Sequence, residues 1–262
     1  MPYTLAVAGK GGTGKTTFAA LAIRSLLAAG RHNLLAVDAD PNANLADMLG
    51  LEMPTTVADI LDETKGLREM PPGMTKDRYL EYRVQTALSE GTGIDLLVMG
   101  RPEGKGCYCF ANSVLRQAME GLTGSYDLVV LDNEAGMEHL SRHTTQDVDV
   151  LFILSDPSLV GVRSAMRIRD ITRELELKIN DIRLVVNRSP EPLPERLVSE
   201  IESAGLVLAG TVPPSEEIQE YELEERPLLA MPVEAEAVRA VRTMIAAAGA
   251  LAADGVSTTG HQ

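Results

Sequence analysis

A glycine-rich segment near the start of the chain carries lysines and threonines in a spacing suited to phosphate chemistry. It follows an apolar run at 3–8 and opens an apolar-periodic stretch at about 15–29, so we predict a strand, a loop and a helix. The loop reads Gly9-Lys10-Gly11-Gly12-Thr13-Gly14-Lys15-Thr16-Thr17. Glycines let backbone N–H groups approach phosphate oxygens, and the helix points its positive dipole end at the same anion. The segment predicts a nucleoside triphosphate site.

Two side chains of this loop have predicted roles in the chemistry. Lys15 is placed to neutralise the β- and γ-phosphates, and the Thr16 hydroxyl is placed to bind Mg²⁺. The alternative is an ordinary glycine-rich turn with two solvated lysines. The strand before the loop and the helix after it favour the phosphate loop, because the motif works only in that context.

A second group of candidate residues follows the apolar run at 34–37. Asp38 and Asp40 alternate along the chain there, where the carboxyl end of a strand in an open α/β sheet meets ligands. The alternative is a polar turn in which aspartates and asparagines cap the backbone.

The chain has two cysteines, Cys107 and Cys109, in a glycine-rich loop before a predicted helix from about 113. Two thiolates can bind one metal ion but leave a tetrahedral site incomplete. A twofold axis through the loop would supply four sulfurs, a set that suits Zn²⁺ and also admits Ni²⁺, Cu(I) or an iron–sulfur cluster. The alternative is a pair of chance cysteines that pack as small apolar residues.

Composition limits the possible partners. The chain has 262 residues, 45% of them hydrophobic, no tryptophan and a formal net charge of −14. Nucleic acids and anionic membranes attract basic faces, so we expect neither as a partner. No apolar run reaches the length of a membrane span, the first strand leaves no room for a signal peptide, and two cysteines exclude a disulfide framework, so we expect a cytoplasmic protein.

The apolar pattern alternates between strand and helix along the chain. Strands are predicted at 34–37, 94–99, 128–132, 148–154, 181–186 and 207–212, and helices at 56–61, 77–88, about 158–175 and 232–253. This order predicts an α/β fold with a doubly wound, mostly parallel sheet and nucleotide at the carboxyl ends of its strands. We predict one domain at 1–254 and a frayed tail at 255–262.

Lys10 directly after the first glycine is the most distinctive residue of the loop. The Gly-Lys-Gly-Gly sequence resembles the deviant Walker A ATPases, which include the nitrogenase iron protein and septum-site, partition and metallocentre-assembly ATPases. The resemblance implies a homodimer in which Lys10 reaches the partner's phosphates. A solvated loop lysine is the alternative.

Other positions acquire roles from the same resemblance. It implies that Asp40 orients the attacking water, that Asp38 lies near the Mg²⁺ shell and that Asp132, ending the Walker B strand, acts on Mg²⁺. It also implies that Asn187 hydrogen-bonds adenine beside Pro213. An ordinary turn asparagine is the alternative for Asn187.

A narrower resemblance rests on the Cys-Tyr-Cys loop and on the segment after Asp132, and it implies that Gly136 can meet the γ-phosphate. Together they resemble the CooC family of nickel-insertion accessory proteins. This implies an ATPase that assists nickel insertion into carbon monoxide dehydrogenase or acetyl-CoA synthase and holds Zn²⁺ or Ni²⁺ between cysteine loops. The open alternatives are an iron–sulfur electron donor and a positioning switch. For His139 and His143, four residues apart, structural or partner contacts are favoured over a metal site.

Overall fold

Eight strands form one sheet. The computed structural model describes residues 2–66, 71–101, 121–134, 147–189 and 191–252. The strands are β1 Tyr3–Gly9, β2 Leu34–Asp38, β3 Ser89–Gly91, β4 Ile94–Val98, β5 Leu128–Asp132, β6 Val148–Ser155, β7 Ile179–Asn187 and β8 Val207–Val212. Their order in the sheet is β3-β4-β2-β5-β1-β6-β7-β8, and every pair is parallel except β3 with β4. The doubly wound, mostly parallel sheet is confirmed.

Helices cover both faces of this sheet. Those described are α1 Lys15–Ala28, α2 Leu45–Leu49, α3 Val57–Gly66, α4 Lys76–Gln85, α5 Leu159–Glu174, α6 Glu195–Ser203, α7 Glu216–Leu223 and α8 Glu236–Ala247. One apolar core includes side chains of α1, α2, α7 and α8, and the other includes side chains of α3, α4, α5 and α6. None of these helices combines the length and the apolar character that a membrane span requires.

The central strands are apolar on both sides because both faces are covered. In β1, Leu5 and Val7 enter one core, while Ala6 and Ala8 enter the other. This follows from the two-residue period of a strand, and continuous apolar runs are typical of buried parallel sheets. The two covered faces therefore account for the continuous apolar sequences of the central strands.

The structure corrects several predicted boundaries. The last helix starts at Glu236 instead of Pro232, because the Ala235 N–H bonds to the Pro232 carbonyl (3.2 Å) in a preceding turn. It ends at Ala247 instead of about 253, before Gly249 at φ +88°. The helix predicted to reach residue 88 ends at Gln85. The structure also contains the short strand β3 and the helices α6 and α7, which the apolar pattern does not predict.

Candidate nucleotide-binding site

The predicted loop and two of the predicted carboxylates meet at the carboxyl ends of neighbouring strands. Asp38 of β2 pairs in register with Asp132 of β5, and Asp132 pairs on its other side with Val7 of β1. The loop leaves β1 at Gly9, where an added Cβ would lie 2.6 Å from the Leu154 carbonyl oxygen. A glycine is therefore required there, and the strand order brings the loop and both aspartates to one edge of the sheet.

The glycine-rich loop makes an internal turn and then enters α1. The Thr13 hydroxyl donates a hydrogen bond to the Lys10 carbonyl (2.8 Å). Gly14, at φ +85°, is the residue before α1, and neither a capping side chain nor an acidic residue occupies the first turn. The first N–H groups of the helix and its dipole are thus left for an anion.

The two loop lysines differ in burial. The Lys15 side chain points into the protein and the residue is only 6% exposed, whereas Lys10 is exposed together with Gly11 and Gly12. Thr16 and Thr17 are half-buried at the start of α1. A buried Lys15 suits neutralisation of phosphates bound at its own loop, and an exposed Lys10 is accessible from outside the chain.

Asp38 is fully buried and organises the segment that follows it. Its Oδ1 accepts a hydrogen bond from the Asp40 N–H (3.0 Å), and its Oδ2 accepts one from the Leu45 N–H (2.9 Å). Burial raises the pKa of Asp38 to about 6, although these two hydrogen bonds favour the ionised form. Asp38 therefore fixes the loop at 39–44 to the end of the sheet.

Asp132 is also fully buried, and burial is the largest influence on its carboxylate. Within the described ranges, neither oxygen accepts a hydrogen bond of ordinary geometry, although the nearby Thr16 hydroxyl favours ionisation. Burial, followed by the negative charges of Asp38 and Asp40, raises the pKa of Asp132 to about 7, against the opposing charge of Lys15. Unpaired buried carboxylate oxygens beside a threonine hydroxyl are hard ligands that suit Mg²⁺. Asp132, Thr16 and Asp38 thus fit a magnesium ion.

Asp40 lies on the loop above this pair and is half-buried. Its Oδ1 accepts hydrogen bonds from the backbone N–H (2.9 Å) and the side-chain amide (3.0 Å) of Asn42. These bonds form a local turn, as the polar-turn alternative predicted. The role of Asp40 in orienting water stays a prediction.

Asn187 and Pro213 line one cavity beside the loop. Thr17 and Phe18 of α1 lie on another side of it, and Ile218 of α7 also contributes. The Asn187 amide donates to the Thr13 carbonyl (2.7 Å), so it holds the loop, while its Oδ1 accepts from the Arg188 N–H (2.9 Å). The cavity is next to the first turn of α1, where the family resemblance predicts the base of a nucleotide, and it is called the base-side cavity below. Recognition of adenine by Asn187 stays a prediction.

Some predicted site residues lie outside the described residues. They are Gly136, both cysteines of the predicted metal site (Cys107 and Cys109), and the two histidines His139 and His143. In the described part of the chain, no three histidine, cysteine or acidic side chains form a cluster that could hold a metal ion by themselves, and the magnesium ligands above include only two carboxylates.

Two residues at the site were missed by sequence reasoning. Asn133 is buried, and its amide donates to the Val7 carbonyl (2.9 Å), which ties the end of β5 to β1. Arg188, at φ +54°, directs a guanidinium N–H toward the Gly12 carbonyl (3.4 Å) and lines the base-side cavity. The available signal was their position directly after predicted strands, at the edge where ligands bind.

Gly14→Ala tests the contact between the loop and Asn187. A Cβ on Gly14 would overlap the Asn187 amide nitrogen, whereas a Cβ on Gly12, at a similar φ of +80°, would meet no atom within 4 Å. Both alanines carry left-handed strain of about 1–2 kcal/mol, so Gly12→Ala is the matched control. We expect Gly14→Ala to lower the free energy of unfolding by about 1–3 kcal/mol more, measured in urea without nucleotide.

A double-mutant cycle then identifies the cause. In an Asn187→Ala background the overlapping atom is gone, so the extra cost of Gly14→Ala should disappear. An extra cost that persists there would contradict the predicted contact.

Comparison with known proteins assigns the family. Residues 4–228 match the CobQ/CobB/MinD/ParA nucleotide binding domain family. The chain belongs to this family. It is 46% identical over 231 residues to an uncharacterized ATP-binding protein of Methanocaldococcus jannaschii, covering 87% of this chain and 91% of the relative. It is 31% identical over 186 residues to the carbon monoxide dehydrogenase accessory protein CooC of Rhodospirillum rubrum, covering 66% and 70%.

Solved structures share the fold. The cell division ATPase MinD of Pyrococcus furiosus aligns with a TM-score of 0.70 at 22% identity, over 96% of this chain and all of that chain. The septum site-determining protein MinD of Pyrococcus horikoshii, in complex with Mg-ADP, aligns with a TM-score of 0.69 at 21% identity, over 93% and 94%. The fold is that of the MinD and ParA nucleotide-binding proteins.

Proposed function

We propose that this protein is a magnesium-dependent ATPase that works as a homodimer. The observation that carries the proposal is the meeting of a buried Lys15, an uncapped helix start and the buried Asp132 carboxylate at one edge of the sheet, where no described residue hydrogen-bonds that carboxylate with ordinary geometry. This arrangement offers fixed positive charge to phosphates and oxygen ligands to a cation.

Each side chain has a defined part in the proposed reaction. Lys15 and the first N–H groups of α1 bind the β- and γ-phosphates, and Thr16, Asp132 and Asp38 hold the cation. Mg²⁺, when bound, neutralises charge on the transferring phosphoryl group. Asp40 orients the attacking water, and Lys10 of each subunit stabilises phosphates in its partner. Gly136 contacts the γ-phosphate.

We propose maturation of a nickel enzyme as the purpose of hydrolysis. The Cys-Tyr-Cys sequence at 107–109 and the similarity to a carbon monoxide dehydrogenase accessory protein support this. Dimer closure on ATP brings two cysteine loops together, and their four thiolates form a site for Zn²⁺ or Ni²⁺. The client is carbon monoxide dehydrogenase or acetyl-CoA synthase, in the cytoplasm.

A positioning switch of the partition type is the second candidate. The MinD structures above support it, as does 30% identity over 187 residues to the septum site-determining protein MinD of Bacillus subtilis, covering 69% of this chain and 62% of that one. Against it, the apolar face of α8 packs on α1, and a net charge of −14 does not favour an anionic surface.

A Cys107→Ser, Cys109→Ser double variant tests the maturation proposal. We expect wild-type protein, under anaerobic conditions with ATP and Zn²⁺ or Ni²⁺, to bind about one metal per dimer, since a tetrahedral site takes four sulfurs. The double variant should lose this metal and metal-dependent dimerisation together. Elemental analysis combined with light scattering measures both quantities.

Two controls separate the candidate functions. Lys10→Ala should leave the metal content unchanged, because Lys10 is outside the cysteine loop. It should lower ATP turnover, because it removes the cation proposed to act on the partner's phosphates. Equal metal content and equal dimerisation in wild type and the cysteine variant would contradict the maturation proposal. ATP-dependent sedimentation with anionic vesicles or with DNA would instead support the positioning switch.

A further inference from the structure

A groove separate from the loop of the nucleotide site runs between α2 and α7. One wall is formed by residues 44–51 and the other by residues 221–228, and the space between them is about 600 Å³. Its floor is apolar, because Tyr221 and Leu228 are buried and Met48 and Leu51 pack against the same core. A cavity of this size accommodates one or two large side chains.

The two walls are in close contact at their base. Gly50 ends α2 at φ +66°, and an added Cβ there would lie 2.8 Å from the Pro227 Cβ. The Leu51 N–H also bonds back to the Ala46 carbonyl (3.1 Å), which holds the end of α2 in place. The groove is therefore a preformed surface of the fold.

The rim of the groove is negatively charged. Asp47 on one wall and Glu222 and Glu225 on the other are exposed, and no side-chain partner for them occurs in the described ranges. The basic residue of the rim, Arg226, is already engaged, with a 3.0 Å ion pair to Glu224 and its guanidinium 3.8 Å above the Tyr221 ring. Three carboxylates on two walls thus surround an apolar floor.

We propose that this groove docks a basic segment of a partner protein, with an apolar side chain on the floor and lysines or arginines at the rim. Carboxylates on opposite walls match several cations spaced along a chain, and a net charge of −14 steers such a segment from solution. The same charge repels anionic lipids and nucleic acids, so the occupant is a polypeptide.

The groove adjoins the nucleotide site and can still be tested apart from it. Glu222 lines both the groove and the base-side cavity, and α2 begins at Leu45, whose N–H bonds to Asp38. Asp47 and Glu225 line the groove alone. Substitutions at these two positions therefore probe docking without altering the residues assigned to ATP binding.

Fluorescence anisotropy with labelled peptides tests the proposal. The probe is a peptide with leucine and phenylalanine between flanking lysines, compared with one that has glutamates as flanks and one that has serines in place of the apolar pair. We expect the basic-apolar peptide to bind best and to weaken as salt is raised. Asp47→Lys with Glu225→Lys should weaken it about tenfold or more.

The matched control makes the same change of charge elsewhere. Glu195→Lys with Glu202→Lys, both exposed on α6 on the opposite face of the sheet, should leave the peptide affinity unchanged. In methionine-methyl NMR, the Met48 signal, assigned with Met48→Leu, should shift on peptide addition. Equal loss of affinity in both double variants, equal binding of all three peptides or an unmoved Met48 signal would overturn the proposal.

ATP binding by the variants separates this proposal from the proposed function. Asp47→Lys with Glu225→Lys should bind ATP as wild type does. If the groove binds no peptide while ATP turnover is normal, docking fails and the ATPase stands. If turnover is absent while peptide binding follows the charges, the reverse holds.

Discussion

Lys15→Ala is expected to lower ATP turnover by about 10³-fold, because it removes the cation placed at the β- and γ-phosphates. The side chain is 6% exposed at the start of α1, and its charge acts on the buried carboxylate of Asp132. Its loss also removes the positive charge that lowers the pKa of Asp132. Release of phosphate under saturating ATP measures the effect.

Lys178→Ala is the control for loss of a lysine. Lys178 precedes β7, and its side chain is 80% exposed in an ion pair with Asp147, so its removal should leave turnover unchanged. Thermal unfolding of both variants verifies that they fold. If Lys15→Ala retained more than a tenth of wild-type turnover, the proposed phosphate site would be wrong.

Asp132→Asn is expected to abolish Mg²⁺-dependent ATP turnover and yet to stabilise the ligand-free protein at high pH. The folded protein raises the pKa of Asp132 from 3.8 to about 7. Between these values the folded state keeps a proton that the unfolded state releases. The free energy of unfolding therefore falls as pH rises through this window, by on the order of a few kcal/mol.

Urea unfolding between pH 4 and pH 8 measures this difference. The asparagine variant lacks the pH-dependent loss from Asp132, so its advantage over wild type should grow with pH. With Mg²⁺ and ATP present the order should reverse, because only wild type gains the free energy of binding. Asp127→Asn, an exposed position directly before β5, is the control and should follow wild type. Parallel pH profiles for wild type and Asp132→Asn would contradict the burial argument.

In the proposed complex, the groove between α2 and α7 places the docked segment beside the base-side cavity. Its acidic rim, like the charge of the whole chain, favours basic polypeptides whichever candidate function is correct. The proposed roles of the groove and of the two cysteines are therefore tested by independent variants. Neither experiment depends on identifying the client enzyme.

The sequence by itself determined the fold class and the phosphate loop of this protein. Continuous apolar runs such as 128–132 are recognisable because both faces of the sheet are covered. The motif of the loop is local, so its glycines, Lys15 and Thr16 can be identified without knowledge of distant residues. The sequence did not determine helix boundaries where a turn continued a helical pattern, as at Pro232 before α8.

Only the tertiary structure decided what depends on contacts between distant segments. The pairing of Asp38 with Asp132 follows from strand order, and the raised pKa values follow from burial that no local pattern encodes. The bond from Asn187 to Thr13 joins residues 174 positions apart. The groove likewise requires Gly50 to meet Pro227. Side-chain types are written in the sequence, but their dielectric surroundings and partners exist only after the chain has folded.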